Sequence, residues 1–235
     1  NDSETGSIYI TVEDLSVAFP GNVLQTLAQT DLTGGTSELT GFVAEDILGD
    51  VSAKNGLFAL DIVQEMNLLA VPPSYGDTST IPANSIVHNA MLAYVEGRAD
   101  SFAILDMPDN LNAVAAETYR QDTLGADSKW GAIYWPHVQV ADPLGAGTRP
   151  TVFVPPSGHM AGIFARVDQL PAPDGGVAAT PAGEGQFGKV VGAVGLRYYA
   201  DDRDHDRLNP VGVNVIRKYS RGGPASPGII VMGGR

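Results

Sequence analysis

The sequence predicts an α/β fold: a mostly parallel sheet covered by helices, with an added β-rich C-terminal hairpin and a looser N-terminal part. Three short apolar runs alternate with segments of helical periodicity, and two β-rich runs stand near the end of the chain. Strands that alternate with helices favour parallel pairing with right-handed crossovers. We therefore expect a core α/β domain over residues 56–235, preceded by a segment of short strands and loops over residues 1–55.

Composition narrows the classes of function. The 235 residues include no cysteine, which excludes disulfides, thiolate metal sites and cysteine nucleophiles, and suits assembly in a reducing cytoplasm. The net charge of -13 repels phosphate backbones, so nucleic acid is not expected as a partner. Because the sequence holds no apolar run of about 18 residues, we expect no membrane insertion.

The N-terminal segment carries weak patterns. Residues 7–12 alternate apolar and polar side chains, which predicts a half-buried strand, and residues 19–22 form a turn sequence. Residues 31–56 are rich in glycine, threonine and serine around a short apolar patch, which indicates a loop with one brief helix.

From residue 56 the elements are clearer. The apolar run 66–71, closed by two prolines, predicts a buried strand. Apolar residues then recur at intervals of three and four, which predicts a helix over about residues 83–98 with Pro82 in its first turn. Residues 101–107 predict the second buried strand.

The next elements follow the same alternation. Asp109 is positioned to cap a helix. We expect that helix to carry the side chains of Leu111, Val114, Ala115 and Tyr119. Residues 131–135 predict the third strand, which leads through Pro136 into residues 137–140.

In the last third, Ser157 is expected to cap a helix. One face of that helix would hold Met160, Ile163, Phe164 and Val167. After a loop rich in glycine and proline come a short strand near residues 190–196 and an acidic helical turn at residues 201–208. Residues 211–219 and 228–232 predict a hairpin across the loop 221–227.

Candidate catalytic groups have simpler structural explanations. Asp106 ends a predicted strand, where an active-site acid could stand, but no G-x-G-x-x-G or P-loop sequence accompanies it, so a cap or turn role before Pro108 is favoured. Ser157 and His159, with Asp142 or Asp168, could supply a serine, histidine and acid set. Their adjacency at a helix start, without a G-x-S-x-G elbow, opposes that function. We predict no catalytic residue and no cofactor.

Residues 201–206 read Asp-Asp-Arg-Asp-His-Asp and could hold a hard cation through their oxygens. The EF-hand glycine and glutamate are absent and the arginines oppose a cation, so a solvated helix start is favoured. The histidines show no zinc spacing. These are His88, His137, His159 and His205. We predict no metal site.

Two segments together resemble the tail sheath proteins of contractile phages. Residues 134–143 read YWPHVQVADP, and residues 154–166 read VPPSGHMAGIFAR, like the family's V-x-D-P turn and its P-P-S-G-x-x-A-G helix start. Further similar motifs stand in family order. They are NLLAVP at 67–72, RADSFAILD at 98–106, PAG at 181–183, LNP at 208–210, GVNVI at 212–216 and GIIVMGGR at 228–235. The resemblance covers about residues 56–235.

The resemblance implies a structural subunit, not an enzyme, that polymerises helically around an inner tail tube and contracts to drive the tube through a cell envelope. Implied partners are other copies of itself, the inner tube protein, and baseplate and tail terminator proteins. The implied location is the virion tail, assembled in the bacterial host cytoplasm. Family chains extend further at both ends, so we expect this one to be a truncated central portion.

Two alternatives remain open at this point. One is the sheath of a type VI secretion system or of a phage-tail-like bacteriocin or injection device; the other is an α/β enzyme or small-molecule binder using the strand ends near Asp106 and His137. For the sheath, the β-rich run of Ile229, Ile230 and Val231 is a candidate for strand pairing between subunits. An ordinary internal hairpin explains the same run.

Overall fold

The structure, a computed structural model, describes residues 44–72, 81–142, 150–169, 187–219 and 228–233. Its strands are β1 (Leu68–Ala70), β2 (Phe102–Asp106), β3 (Gly131–Trp135), β4 (Val138–Ala141), β5 (Thr151–Val154), β6 (Ala193–Leu196), β7 (Val213–Tyr219) and β8 (Gly228–Met232). Its α-helices are α1 (Ala44–Leu48), α2 (Ile81–Arg98), α3 (Ala113–Thr118), α4 (Ser157–Asp168) and α5 (Asp202–Leu208). The predicted strand at 7–12, the turn at 19–22 and the loop at 221–227 lie outside the described residues.

The larger sheet has the strand order β1-β2-β3-β7-β8. Strands β1, β2, β3 and β7 pair in parallel, and β8 pairs antiparallel with β7, placing Ile216 opposite Val231. The predicted mostly parallel sheet and the predicted C-terminal hairpin are both confirmed. Strand β1 is at the edge of the sheet, where Leu69 is buried as expected but Ala70 is exposed.

Each face of this sheet has its own core, because side chains along a strand alternate between faces. On one face Leu105 and Ile133 pack with α2, α3 and α5. On the other face Ile104 and Tyr134 pack against α4. The predicted helix over 83–98 is confirmed as α2, which begins two residues earlier.

A second sheet was not predicted. The peptide between Trp135 and Pro136 is cis, and the chain then leaves the larger sheet and enters β4. Strand β4 is the centre of a three-stranded sheet of order β5-β4-β6, with both neighbours antiparallel. Residues 137–140 therefore begin this second sheet, which packs on α4 through Val138 and Leu196.

Two local expectations are corrected. Asn112, not Asp109, caps α3, since its Oδ1 accepts from the backbone N–H of Ala115 at 2.9 Å. The buried side of α3 is formed by Ala113 and Ala116, while Val114 is 56% exposed. The helix then continues as a π-helix over Tyr119–Leu124. Tyr119, at its start, is buried as expected.

Candidate functional sites

Asp106 stands at the carboxyl end of β2, where a catalytic acid could lie, but its side chain is only 1% exposed. Its Oδ1 accepts the backbone N–H of Ser157 at 2.7 Å, which joins β2 to the first residue of α4 across 51 positions of sequence. Burial raises the pKa of Asp106 to about 7, and the hydrogen bond from the backbone N–H of Ser157 opposes that rise. The carboxyl group acts as a cap, for a helix distant in sequence rather than for the turn before Pro108.

The Ser157 prediction is wrong in its detail. Pro156 occupies the N-cap position, and Ser157 is the first residue of the helix. The Ser157 hydroxyl is buried and has no hydrogen-bond partner, so no bond to His159 activates it. Asp168 is the last residue of α4, about 16 Å further along at 1.5 Å per residue, too far to orient a histidine at the helix start. The described residues do not assemble a catalytic triad here.

The turn after β2 connects the two sheets. Asp109 lies 3.1 Å from the guanidinium of Arg197, which follows β6. His137, which precedes β4, donates from Nε2 to the carbonyl of Met107 at 3.0 Å, and its Nδ1 lies 3.5 Å from Asp109. Burial lowers the pKa of His137, while the charge of Asp109 opposes that effect. These contacts fix the start of β4 and the end of β6 against the turn after β2.

A second buried polar group lies under α2. The hydroxyl of Tyr119 donates to Oδ1 of Asn84 and is 3.0 Å from Nδ1 of His88, and all three side chains are 2% exposed or less. Burial lowers the pKa of His88 to about 3. This histidine is therefore neutral near pH 7 and serves the packing of α2 against the π-helix.

The acidic segment 201–206 is used within its own helix. Asp201 caps α5 by accepting the N–H of Asp204 at 2.9 Å, and the Asp204 carboxylate accepts the N–H of Asp201 in return. Asp202 pairs with Arg217 of β7 at 2.8 Å. Within the described ranges, no group of three or more histidine, aspartate or glutamate side chains is arranged to hold a metal ion.

Strand β8 forms one edge of the larger sheet, and its residues Ile229, Ile230 and Val231 are buried. On the side of β8 away from β7, some backbone groups already form hydrogen bonds within the chain. The carbonyl of Ile229 accepts from the N–H of Val190, and the N–H of Val231 donates to the carbonyl of Gly188, both at 2.8 Å. A neighbouring subunit would have to replace these two bonds, and strand pairing between subunits stays a prediction.

In the part of the chain that the structure describes, the helices are too short or too polar to cross a lipid bilayer. No curated protein matches this sequence. The family described as phage tail sheath protein central domain matches residues 49–225.

Two solved structures extend the comparison. A chain of the cryo-EM structure of the anti-feeding prophage baseplate is 26% identical, with a TM-score of 0.53; the match covers 75% of this chain and 39% of that one. A chain of the anti-feeding prophage helical sheath in its contracted state is 24% identical, with a TM-score of 0.54, over 80% of this chain and 44% of that one. At 24% identity, the match to the helical sheath shows a shared fold only. This chain thus spans less than half the length of each of these two chains.

Proposed function

The chain belongs to the phage tail sheath protein family, and we propose that it forms the central part of a contractile sheath subunit. The observation that carries this proposal is the match of the sheath central domain over residues 49–225. The fold shared with a contracted helical sheath supports it. The family is a structural one. Asp106, which stands where a catalytic acid could lie, is used within the chain as a helix cap, and this agrees with a structural role.

The mechanism we propose is mechanical. A helical sheath repeats one heterologous contact, in which two different surfaces of the subunit meet without closing into a ring. During contraction the subunits move as rigid bodies and exchange their contacts. One packing of the same subunits is thereby converted into a more stable one. The subunit needs no reactive group for this, only a stiff domain and complementary surfaces.

The partners we propose are further copies of the subunit, an inner tail tube, a baseplate and a tail terminator, with the sheath located on a virion tail or a phage-tail-like particle. The location on a phage-tail-like particle has specific support, because both solved structures described above come from the anti-feeding prophage. A secretion or injection device and a phage tail share the same sheath mechanics, so the proposal holds for either.

Strand pairing between subunits at β8 remains part of the proposal. The edge position of β8 supports it, and the bonds from Val190 and Gly188 are what an incoming strand would displace. Amide hydrogen exchange tests this point at Ile229, Ile230 and Val231. Equal protection in dispersed subunits and in assembled tubes would rule the pairing out.

Electron microscopy of the full-length protein, alone and with its tube protein, tests the proposed function. We expect hollow tubes or stacked rings at high protein concentration. Subunits that stay monomeric under all these conditions, with normal folding by circular dichroism, would refute the proposal.

A further inference from the structure

A small cavity lies between α2, the π-helix and the start of β3, and its volume is about 100 Å³. Four of its lining side chains are aliphatic and at most 7% exposed: Leu92, Leu105, Leu124 and Ile133. Asp127, which also lines the cavity, has a fully exposed side chain, so the cavity opens to solvent at that residue. The cavity therefore has an apolar floor and a polar mouth.

Arg120 of the π-helix lines the same cavity, and its side chain is only 20% exposed. Among the described residues its ion-pair partner is Asp127 at 3.9 Å, a distance too long for a hydrogen bond. Arg98 and Arg217 are 15% and 14% exposed, yet each lies within 2.9 Å of an aspartate. A guanidinium withdrawn from water is stabilised by a close anion, so Arg120 has donors that a further acceptor could satisfy.

The π-helix fixes the place of Arg120. The carbonyl of Arg120 accepts the N–H of Gly125 at 3.2 Å, which closes the last turn, and Gly125 has the left-handed φ of 60° there. The side chain of Asn89 donates to the carbonyl of Leu124 at 3.4 Å, and the hydroxyl of Tyr119 is bonded under α2 at the other end. Such helices are rare and are found frequently at functional sites. Because the backbone is held at both ends, a ligand of Arg120 would lose little conformational entropy in binding.

The size and chemistry of the cavity indicate its ligand. Sites for drug-sized molecules measure about 300–1,000 Å³, so this cavity can take only a small group. The planar guanidinium of arginine matches a carboxylate through two parallel hydrogen bonds. The aliphatic floor favours a hydrocarbon segment behind that carboxylate. Phosphate has no such segment and brings more negative charge to a chain whose net charge is already -13.

From these features we propose that the cavity between α2, the π-helix and β3 binds a carboxylate carried on a short aliphatic chain, with Arg120 pairing the carboxylate. Two sources have this chemistry: a free short-chain acid and the side chain of a glutamate on a partner protein. Ser128 also lines the cavity, and its Oγ accepts the N–H of Trp130 at 3.2 Å, which leaves the hydroxyl hydrogen free to donate to the ligand. The proposal concerns the subunit alone and does not depend on the sheath function.

Ligand-observed saturation-transfer NMR on the full-length protein measures this binding, because its signal comes from the small acid whatever the size of the assembly. Butyrate is the probe, and propionate and acetate test the apolar floor. We expect the affinity to rise about threefold to fourfold for each methylene added from acetate to butyrate. Inorganic phosphate should displace butyrate only weakly. Equal affinity for the three acids, or phosphate that competes as well as propionate, would refute an aliphatic carboxylate as the ligand.

Three variants locate the binding. Arg120→Gln should lower the affinity for butyrate at least about tenfold, because the charge-assisted hydrogen bonds are lost. Arg203→Gln removes the same charge from an exposed position of α5 and should leave the affinity unchanged. Asp127→Asn removes the acid that competes for Arg120 and should raise the affinity about twofold to fivefold, the range of an exposed ion pair. Circular dichroism establishes that each variant folds. The exposed Asp127 site keeps the test decisive even where Arg120→Gln is unstable.

The outcomes separate this site from the proposed function. Wild-type protein that does not bind butyrate refutes the site, as do equal losses in Arg120→Gln and Arg203→Gln or an affinity that Asp127→Asn fails to raise. Butyrate that binds dispersed subunits and assembled tubes alike supports the site and identifies a free acid as its ligand. Butyrate that binds dispersed subunits only supports the site and assigns it to a glutamate supplied within the assembly. A protein that never forms tubes refutes the sheath proposal, while the variants still decide this one.

Discussion

Replacing Asp106 by asparagine should stabilise the protein at alkaline pH. Asparagine has the same shape and keeps a carbonyl oxygen that can accept the N–H of Ser157, which the aspartate binds at 2.7 Å. It carries no charge, so it avoids the cost of burying a carboxylate that is 1% exposed. The substitution therefore separates the charge of Asp106 from its role as a cap for α4.

The expected size follows from the pKa of Asp106, which burial raises from 3.8 to about 7. A raised carboxyl pKa means that the folded state holds its proton more tightly than the unfolded state, so stability falls as pH rises from about 4 to about 7. At about 1.4 kcal/mol per pKa unit, the full cost at pH 8 is about 4 kcal/mol. Between pH 5.5 and pH 8 the advantage of the asparagine variant should grow by about 2 kcal/mol.

The loss of an anion at the start of α4 offsets about 0.3–1 kcal/mol of this gain. Urea unfolding followed by circular dichroism measures the free energy of unfolding of the wild type and of Asp106→Asn at pH 5.5 and at pH 8. Asp127→Asn is the control, because it makes the same change at a side chain that is fully exposed, where burial adds no cost. A stability difference between wild type and Asp106→Asn that is the same at both pH values would refute the reasoning.

Three further substitutions test the packing by the same urea unfolding. Tyr119→Phe should cost about 1–3 kcal/mol, because two buried polar partners lose their hydrogen bonds, whereas Tyr199→Phe at an exposed site should change stability by less than about 0.5 kcal/mol. Asn112→Ala should cost about 1 kcal/mol by removing the cap of α3, and Asn112→Asp, which keeps a cap, should cost less; equal losses would contradict the cap. Met160→Ala, at a fully buried site, should cost about 2–5 kcal/mol, and a loss below about 1 kcal/mol would mean that α4 is not packed as described.

The sequence predicted those elements whose signal is local. Helix α2 has apolar residues at helical spacing over five turns, and its span was predicted to within two residues at the N-terminus. Strands β2 and β3 are short apolar runs with clear ends, and both were predicted. On α4, Met160, Ile163 and Val167 are buried as expected. In β2, β3 and α4 the pattern of the segment alone indicates the buried residues, whereas α2 also buries Asn84 and His88 and leaves Ile86 43% exposed.

What the sequence did not predict depends on contacts between distant segments. Nothing in residues 138–141 shows that β4 leaves the larger sheet, because the short run Val-Gln-Val-Ala fits a strand of either sheet equally well. The cap of α4 is Asp106, 51 residues before Ser157, and local capping rules consider only residues near the helix start.

The contacts after β2 bear on how a sheath subunit of this kind would move. Asp106 binds the start of α4, and three residues later Asp109 binds Arg197 beyond β6. These polar contacts add to the apolar core that the larger sheet, α4 and the smaller sheet share through Tyr134, Met160 and Val138. A change in their relative position would break a buried hydrogen bond and an ion pair at once. In the proposed contraction this domain would therefore stay rigid, and the contacts between subunits would change.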